Sequence, residues 1–156
     1  MIVVSNTSPL IFLSNVDSLD LLSSCFDEIY IPEEVKTEFG EKLPNAFRIK
    51  AISREGENLV NLQYGALHRG ELEVIQLAHE IGAGLVLLDD LLARKKAKIE
   101  KLNVMGTLGV FLTASYKGVI SPKTAIEKIE TLICKHEMFV APNLLKKVRK
   151  ELEEII

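Results

Sequence analysis

Leu85-Val86-Leu87-Leu88-Asp89-Asp90 decides the reading of this chain: four apolar residues run without a break into two acids, with Gly82 and Gly84 just ahead of them. A short apolar run bounded by glycine on one side and charge on the other reads as a strand buried on both faces of a parallel sheet. In an open sheet of that kind, ligands bind in the crevice outside the carboxyl ends of the strands. Asp89 and Asp90 arrive at that edge, so the question becomes what they help to hold.

Working outward, Gly70-Glu71-Leu72-Glu73-Val74-Ile75-Gln76-Leu77-Ala78 puts Leu72, Ile75, Leu77 and Ala78 on one helical face and runs into the glycines before the strand, here read as central. Beyond the acids follow a basic helix over 91–102, a short strand at Asn103-Val104-Met105, a turn at Gly106-Thr107 and a small-residue helix over 108–117. Ser121-Pro122 opens a further helix to Lys135, and Pro142 opens a last one. In the first half, Ile2-Val3-Val4-Ser5 is a strand, and Asn6-Thr7-Ser8-Pro9 starts a helix. Two short helices flank a break at Asn15, with Asp17 or Ser18 expected to cap the second. Glu28-Ile29-Tyr30-Ile31 is the next strand, and Pro32-Glu33-Glu34 opens a helix that Gly40 closes. Over 41–67 the pattern is weak; a helix near 45–50 is expected and the rest stays open. Alternating strands and helices predict a parallel sheet covered on both faces, in one domain over 1–156.

At 156 residues, with 47% hydrophobic and 26% charged residues, the chain is long enough for a core of its own. No apolar run approaches the roughly 20 residues needed to span a bilayer, and no basic region precedes an apolar segment at the start, so no membrane association and a cytoplasmic location are expected. Cys25 and Cys134 lack the spacing of a zinc site and are expected to be buried. A net charge of -3 argues against a protein that coats nucleic acid without specificity. No GxGxxG or Walker loop supports a nucleotide cofactor.

The polar residues at strand ends should converge in such a fold. Asn6, Thr7 and Ser8 end the first strand, and Asp89 and Asp90 end the strand at 85–88. Glu38 sits late in the helix after the second strand, and Glu71 in the first turn of the helix before the acids. Mg²⁺ and Mn²⁺ take oxygen ligands, one or two of them carboxylates. Asn6, Glu38, Glu71 and Asp90 would supply that chemistry, with Asp89 as a further acid. Each acid alone also suits a structural role, as a helix cap or a favoured first-turn residue.

Val3-Val4-Ser5-Asn6-Thr7-Ser8-Pro9-Leu10-Ile11, Ile31-Pro32-Glu33-Glu34-Val35-Lys36-Thr37-Glu38, the Gly70 to Ala78 segment, Leu87-Leu88-Asp89-Asp90-Leu91-Leu92-Ala93-Arg94 and Gly106-Thr107-Leu108-Gly109-Val110 together resemble a PIN domain, in its prokaryotic PIN-like subfamily of predicted nucleic-acid-binding proteins. The resemblance implies a three-layer α/β/α sandwich around a parallel sheet of four or five strands. It also implies a metal-dependent ribonuclease using Mg²⁺ or Mn²⁺, with Asn6, Glu38, Glu71 and Asp90 on the family's acidic quartet. RNA would be the substrate, and a small antitoxin protein and a second copy of the chain the partners. Where the family usually carries aspartate, position 6 is Asn, which keeps an oxygen and removes a charge. The rival reading is a PIN-like module that binds RNA or protein without cleaving. A receiver- or flavodoxin-like domain would not spread its acids over helices as Glu38 and Glu71 are.

For a bound strand, Thr7, Ser8 and Thr107 offer hydroxyls at strand ends, and Arg94 is the basic residue nearest the acids. Arg94, Lys95, Lys96, Lys98 and Lys101 lie on the helix leaving Asp90 and would steer a phosphate backbone toward it. His68 and Arg69 are candidates for the rim.

Overall fold

The computed structural model describes residues 1–63 and 65–155. The elements follow in the order β1 (Ile2–Ser5), α1 (Thr7–Asn15), α2 (Asp20–Cys25), β2 (Glu28–Pro32), α3 (Glu33–Phe39), β3 (Phe47–Lys50), α4 (Arg54–Gln63), α5 (Arg69–Ile81), β4 (Leu85–Leu87), α6 (Leu91–Ile99), β5 (Val104–Met105), α7 (Thr107–Tyr116), α8 (Pro122–Lys135) and α9 (Pro142–Glu153). The five strands form one all-parallel sheet in the order β3-β2-β1-β4-β5, flanked by helices, a PIN-like α/β/α sandwich. Among the described residues, no helix is long and apolar enough to cross a membrane.

β1 holds the centre. Val3 and Val4 are fully buried and pair with β2 on one side and β4 on the other. The strand carrying the two acids is therefore one place off centre, between β1 and β5. Leu85, Val86, Leu87 and Leu88 are nonetheless all buried, which explains the unbroken apolar run. Each such side chain contributes about 1.5–3 kcal/mol by leaving water. From β1 the chain builds outward to β3, then returns to place β4 on the other side. That reversal opens a crevice at the carboxyl ends of β1 and β4. The Asn6 N–H donates to the Leu87 carbonyl at 3.0 Å, extending the ladder and setting Asn6 beside the approach to Asp89 and Asp90.

The segment over 41–67 departs from expectation. Residues 47–50 form an edge strand, with Ile29 opposite Phe47 and Ile31 opposite Ile49. Only Phe47 of the four is buried, so no alternation marks the strand. The helix lies later, in α4, and includes Gly56, whose hydrogen-only side packs where a Cβ would overlap the Glu80 carboxylate. Tyr64 lies outside the described residues. Neither Asp17 nor Ser18 caps α2; Leu19 holds that place without a side-chain bond. Cys25 is buried as expected, whereas Cys134, near the end of α8, is exposed.

Candidate metal centre

Asn6 occupies the N-cap position of α1 in an extended conformation, yet its side chain makes no cap bond. An N-cap side chain accepts from the second or third helical N–H. The third residue of α1 is Pro9, which has none, so the Asn6 amide is not held over its own helix. It is almost fully buried, and its Oδ1 lies 3.5 Å from where a Cβ on Gly70 would stand.

The same point is approached from α3. A Cβ on Gly70 would overlap the Glu38 carboxylate, and Thr7 Oγ1 donates to Glu38 Oε2 at 3.2 Å. Glu38 is therefore lodged between the start of α1 and the start of α5. Gly70 is required for the space it leaves. Replacing it adds helix propensity, and the obstacle it meets is the mobile end of Glu38 rather than backbone. Gly70→Ala is thus expected to hold or slightly raise thermal stability while displacing Glu38 and weakening Mn²⁺ binding about tenfold or more, read by melting and titration on the same sample. A variant that melts lower but binds Mn²⁺ normally would contradict this.

Glu71 follows as the third residue of α5, 5% exposed, with Oε1 accepting the His68 N–H at 3.0 Å. Burial pushes its carboxyl above the usual carboxylate range. The His68 N–H bond and the His68 side chain oppose that rise, while the charges of Asp90 and Glu38 add to it. Asp90, at the carboxyl end of β4, caps α6 by accepting the Ala93 N–H on Oδ2 at 3.0 Å, and its side chain faces solvent. The end of β1, α3, α5 and the β4–α6 junction thus bring Asn6, Glu38, Glu71 and Asp90 to one place.

Asp89 points elsewhere. Its carboxylate takes the Thr107 N–H at 2.8 Å and the Thr107 hydroxyl at 2.7 Å, tying the start of α7 to the end of β4. Burial raises its carboxyl, and the Thr107 bonds and the Arg94 guanidinium draw it back. Arg94 also donates to the Leu88 carbonyl at 3.1 Å. Asp89 and Thr107 therefore form a hydrogen-bonded corner of their own, with Arg94 held alongside by the Leu88 carbonyl. Ser8 is half-buried on α1, one residue past Thr7. Arg69 is engaged by Glu73 at 3.0 Å and by Asn61 at 2.6 Å, and His68 stands exposed at the N-cap of α5. On α6, Lys96 pairs with Glu100 just past the helix end at 3.0 Å, and Lys95 and Lys98 are exposed, as is Lys101 beyond it.

Among the described residues, no group of three or more His, Cys, Asp or Glu side chains is placed to hold a metal ion. One oxygen each of Glu71 and Asp90 is turned to a helix N–H instead. The donor chemistry nevertheless fits a hard divalent cation: all donors are oxygens, and Glu71 is buried near the charges of two other acids. Sequence reasoning assigned no role to Gly70; a glycine in the first turn of a helix, beside an acid, was the available signal.

A family model described as a PIN domain matches residues 2–154 of the chain. No curated protein and no solved structure matches it.

Proposed function

The chain belongs to the PIN domain family, whose fold is of nuclease type, and from that premise we propose that it is a Mg²⁺- or Mn²⁺-dependent endoribonuclease. Asn6, Glu38, Glu71 and Asp90 are the set that would hold the ion. The observation that carries the proposal is Glu71: a buried carboxylate with acids on two sides is a poor structural choice and a good cation ligand. When bound, a divalent ion in such a site activates water and stabilises the departing oxygen of a phosphodiester. Glu71 Oε1 is held by His68, which leaves Oε2 to face the ion or accept a proton from the attacking water. Thr7 orients Glu38 through its hydroxyl. Exposed Lys95 and Lys98 on α6 supply charge that would attract a phosphate backbone.

A toxin role, with a small antitoxin protein as partner and a homodimer as the assembly, extends the same reading. One observation favours a second: Asn6 removes a negative charge from the set, which suits a PIN-like module that binds RNA or protein without cutting. A mixed RNA pool separates them. The nuclease cleaves it with Mn²⁺ or Mg²⁺ and stops when EDTA is added. Retained RNA with no cleavage under any divalent ion would favour the binding module.

A further inference from the structure

We propose that Glu73 is a positioning residue for this site, fixing α3 against α5 in the register that brings Glu38 to Gly70; the proposal rests on Glu38 being part of the metal-holding set. Two contacts join these helices. The Glu34 N–H donates to Glu73 Oε1 at 3.4 Å, and the Glu38 carboxylate lies against Gly70. Glu34 and Glu38 are about one turn apart on α3, and Gly70 and Glu73 about one turn apart on α5. The partners run in opposite order, so the contacts are successive rungs between antiparallel helices. The Gly70 rung offers space but no bond. Among the described residues, the Glu73 rung is the one side-chain hydrogen bond linking α3 to α5.

Glu73 is itself held in place. It is 5% exposed, and Arg69, one turn earlier on α5, donates its Nε–H to Oε2 at 3.0 Å. Arg69 in turn reaches Asn61 and Glu57 on α4, at 2.6 and 3.8 Å. Pro32, the N-cap of α3, has no acceptor for the first-turn N–H groups, and Glu73 supplies one from the neighbouring helix. Burial raises the Glu73 carboxyl, against the Glu34 and Arg69 contacts that lower it. A buried ion pair is weak support for stability, which leaves placement of α3 as what the residue contributes.

The test compares metal-free wild type, Glu73→Met and Glu73→Gln by NMR, followed by Mn²⁺ titration. Met matches the length of Glu without an acceptor; it leaves Arg69, which also reaches Asn61 and Glu57, without its Glu73 partner, so the amide spectrum of the variant is checked first for a folded chain. Gln retains Oε1. Glu73→Met is expected to shift the Glu34 and Gly70 amide signals and the Glu38 carboxyl signal, and to weaken Mn²⁺ binding about tenfold or more. Glu73→Gln is expected to restore both. Unmoved Glu38 and Gly70 signals in Glu73→Met, or a Gln variant as impaired as Met, would overturn the proposal. In wild type alone, the Glu34 amide should exchange more slowly than that of Glu33, and equal rates would overturn it whether or not Glu73→Met folds. A wild-type protein that binds no Mn²⁺ would remove the metal reading only, and the NMR comparison would still decide the positioning role.

Discussion

Glu71→Gln is expected to cut RNA cleavage and Mn²⁺ affinity by more than about 100-fold, beyond the loss typical of groups that merely orient ligands, while raising the melting temperature of the metal-free protein. The amide keeps an oxygen for the His68 N–H, so the start of α5 retains its bond. What disappears is the charge. The Glu71 carboxyl is raised above the ordinary carboxylate range, chiefly by burial, so the folded chain binds this proton more tightly than the unfolded chain does. Stability therefore falls as pH rises from the unfolded value through the higher folded one, and above the folded value the cost is fully present. Removing the charge removes that cost, and each kcal/mol regained raises the melting temperature by about 2–4 °C for a protein of this size. Glu73 and Asp89 are raised by burial as well, so the metal-free protein should be more stable at mildly acidic than at neutral pH. Saturating Mn²⁺ reverses the ranking, because an ion bound only to the folded state adds about 2.7 kcal/mol at 100 times its Kd. A Glu71→Gln protein that melts below wild type in EDTA would count against this account of the site.

Asn6→Asp is the complementary change. The new carboxylate has the shape of the amide it replaces and stands next to Glu38 in an almost fully buried position. Without metal it adds a further like charge, and the melting temperature should drop. With metal, the number of charged ligands governs affinity, and Mn²⁺ should bind about tenfold more tightly, close to 1.4 kcal/mol. Cleavage rising with affinity supports a nuclease limited by its missing charge. Tighter metal with no cleavage points to the binding module, and unchanged affinity would mean that position 6 is not a ligand.

Much of this was legible in the residues themselves. The apolar run before Asp89, the β-branched start at Ile2 and the amphipathic helix from Gly70 each carry a strong local signal, and each forms the element that signal predicts, although the strand before Asp89 lies one place off centre. β3 was not legible, because it is an edge strand with one buried residue; its partner β2 decides its conformation. The division of labour between Asp89 and Asp90 was also out of reach. Successive side chains of an extended segment point to opposite sides, and the sequence does not say which side holds the crevice. The structure turns Asp89 to Thr107 and leaves Asp90 on the side of Glu71. Gly70 and Glu73 escaped notice for a related reason. Their importance comes from α3, more than thirty residues away; Gly70, beside an acid in a first helical turn, carried a weak local cue and Glu73 none.

The proposed function stands on Asn6, Glu38, Glu71 and Asp90 together holding a divalent ion. Isothermal titration of Mn²⁺ into the metal-free protein and into Asp90→Asn tests it most directly, because Asn caps a helix about as well as Asp and the start of α6 should stay intact. A Mn²⁺ site is expected in wild type and is expected to disappear in the variant. An absent site in wild type, or an undiminished one in Asp90→Asn, would contradict it.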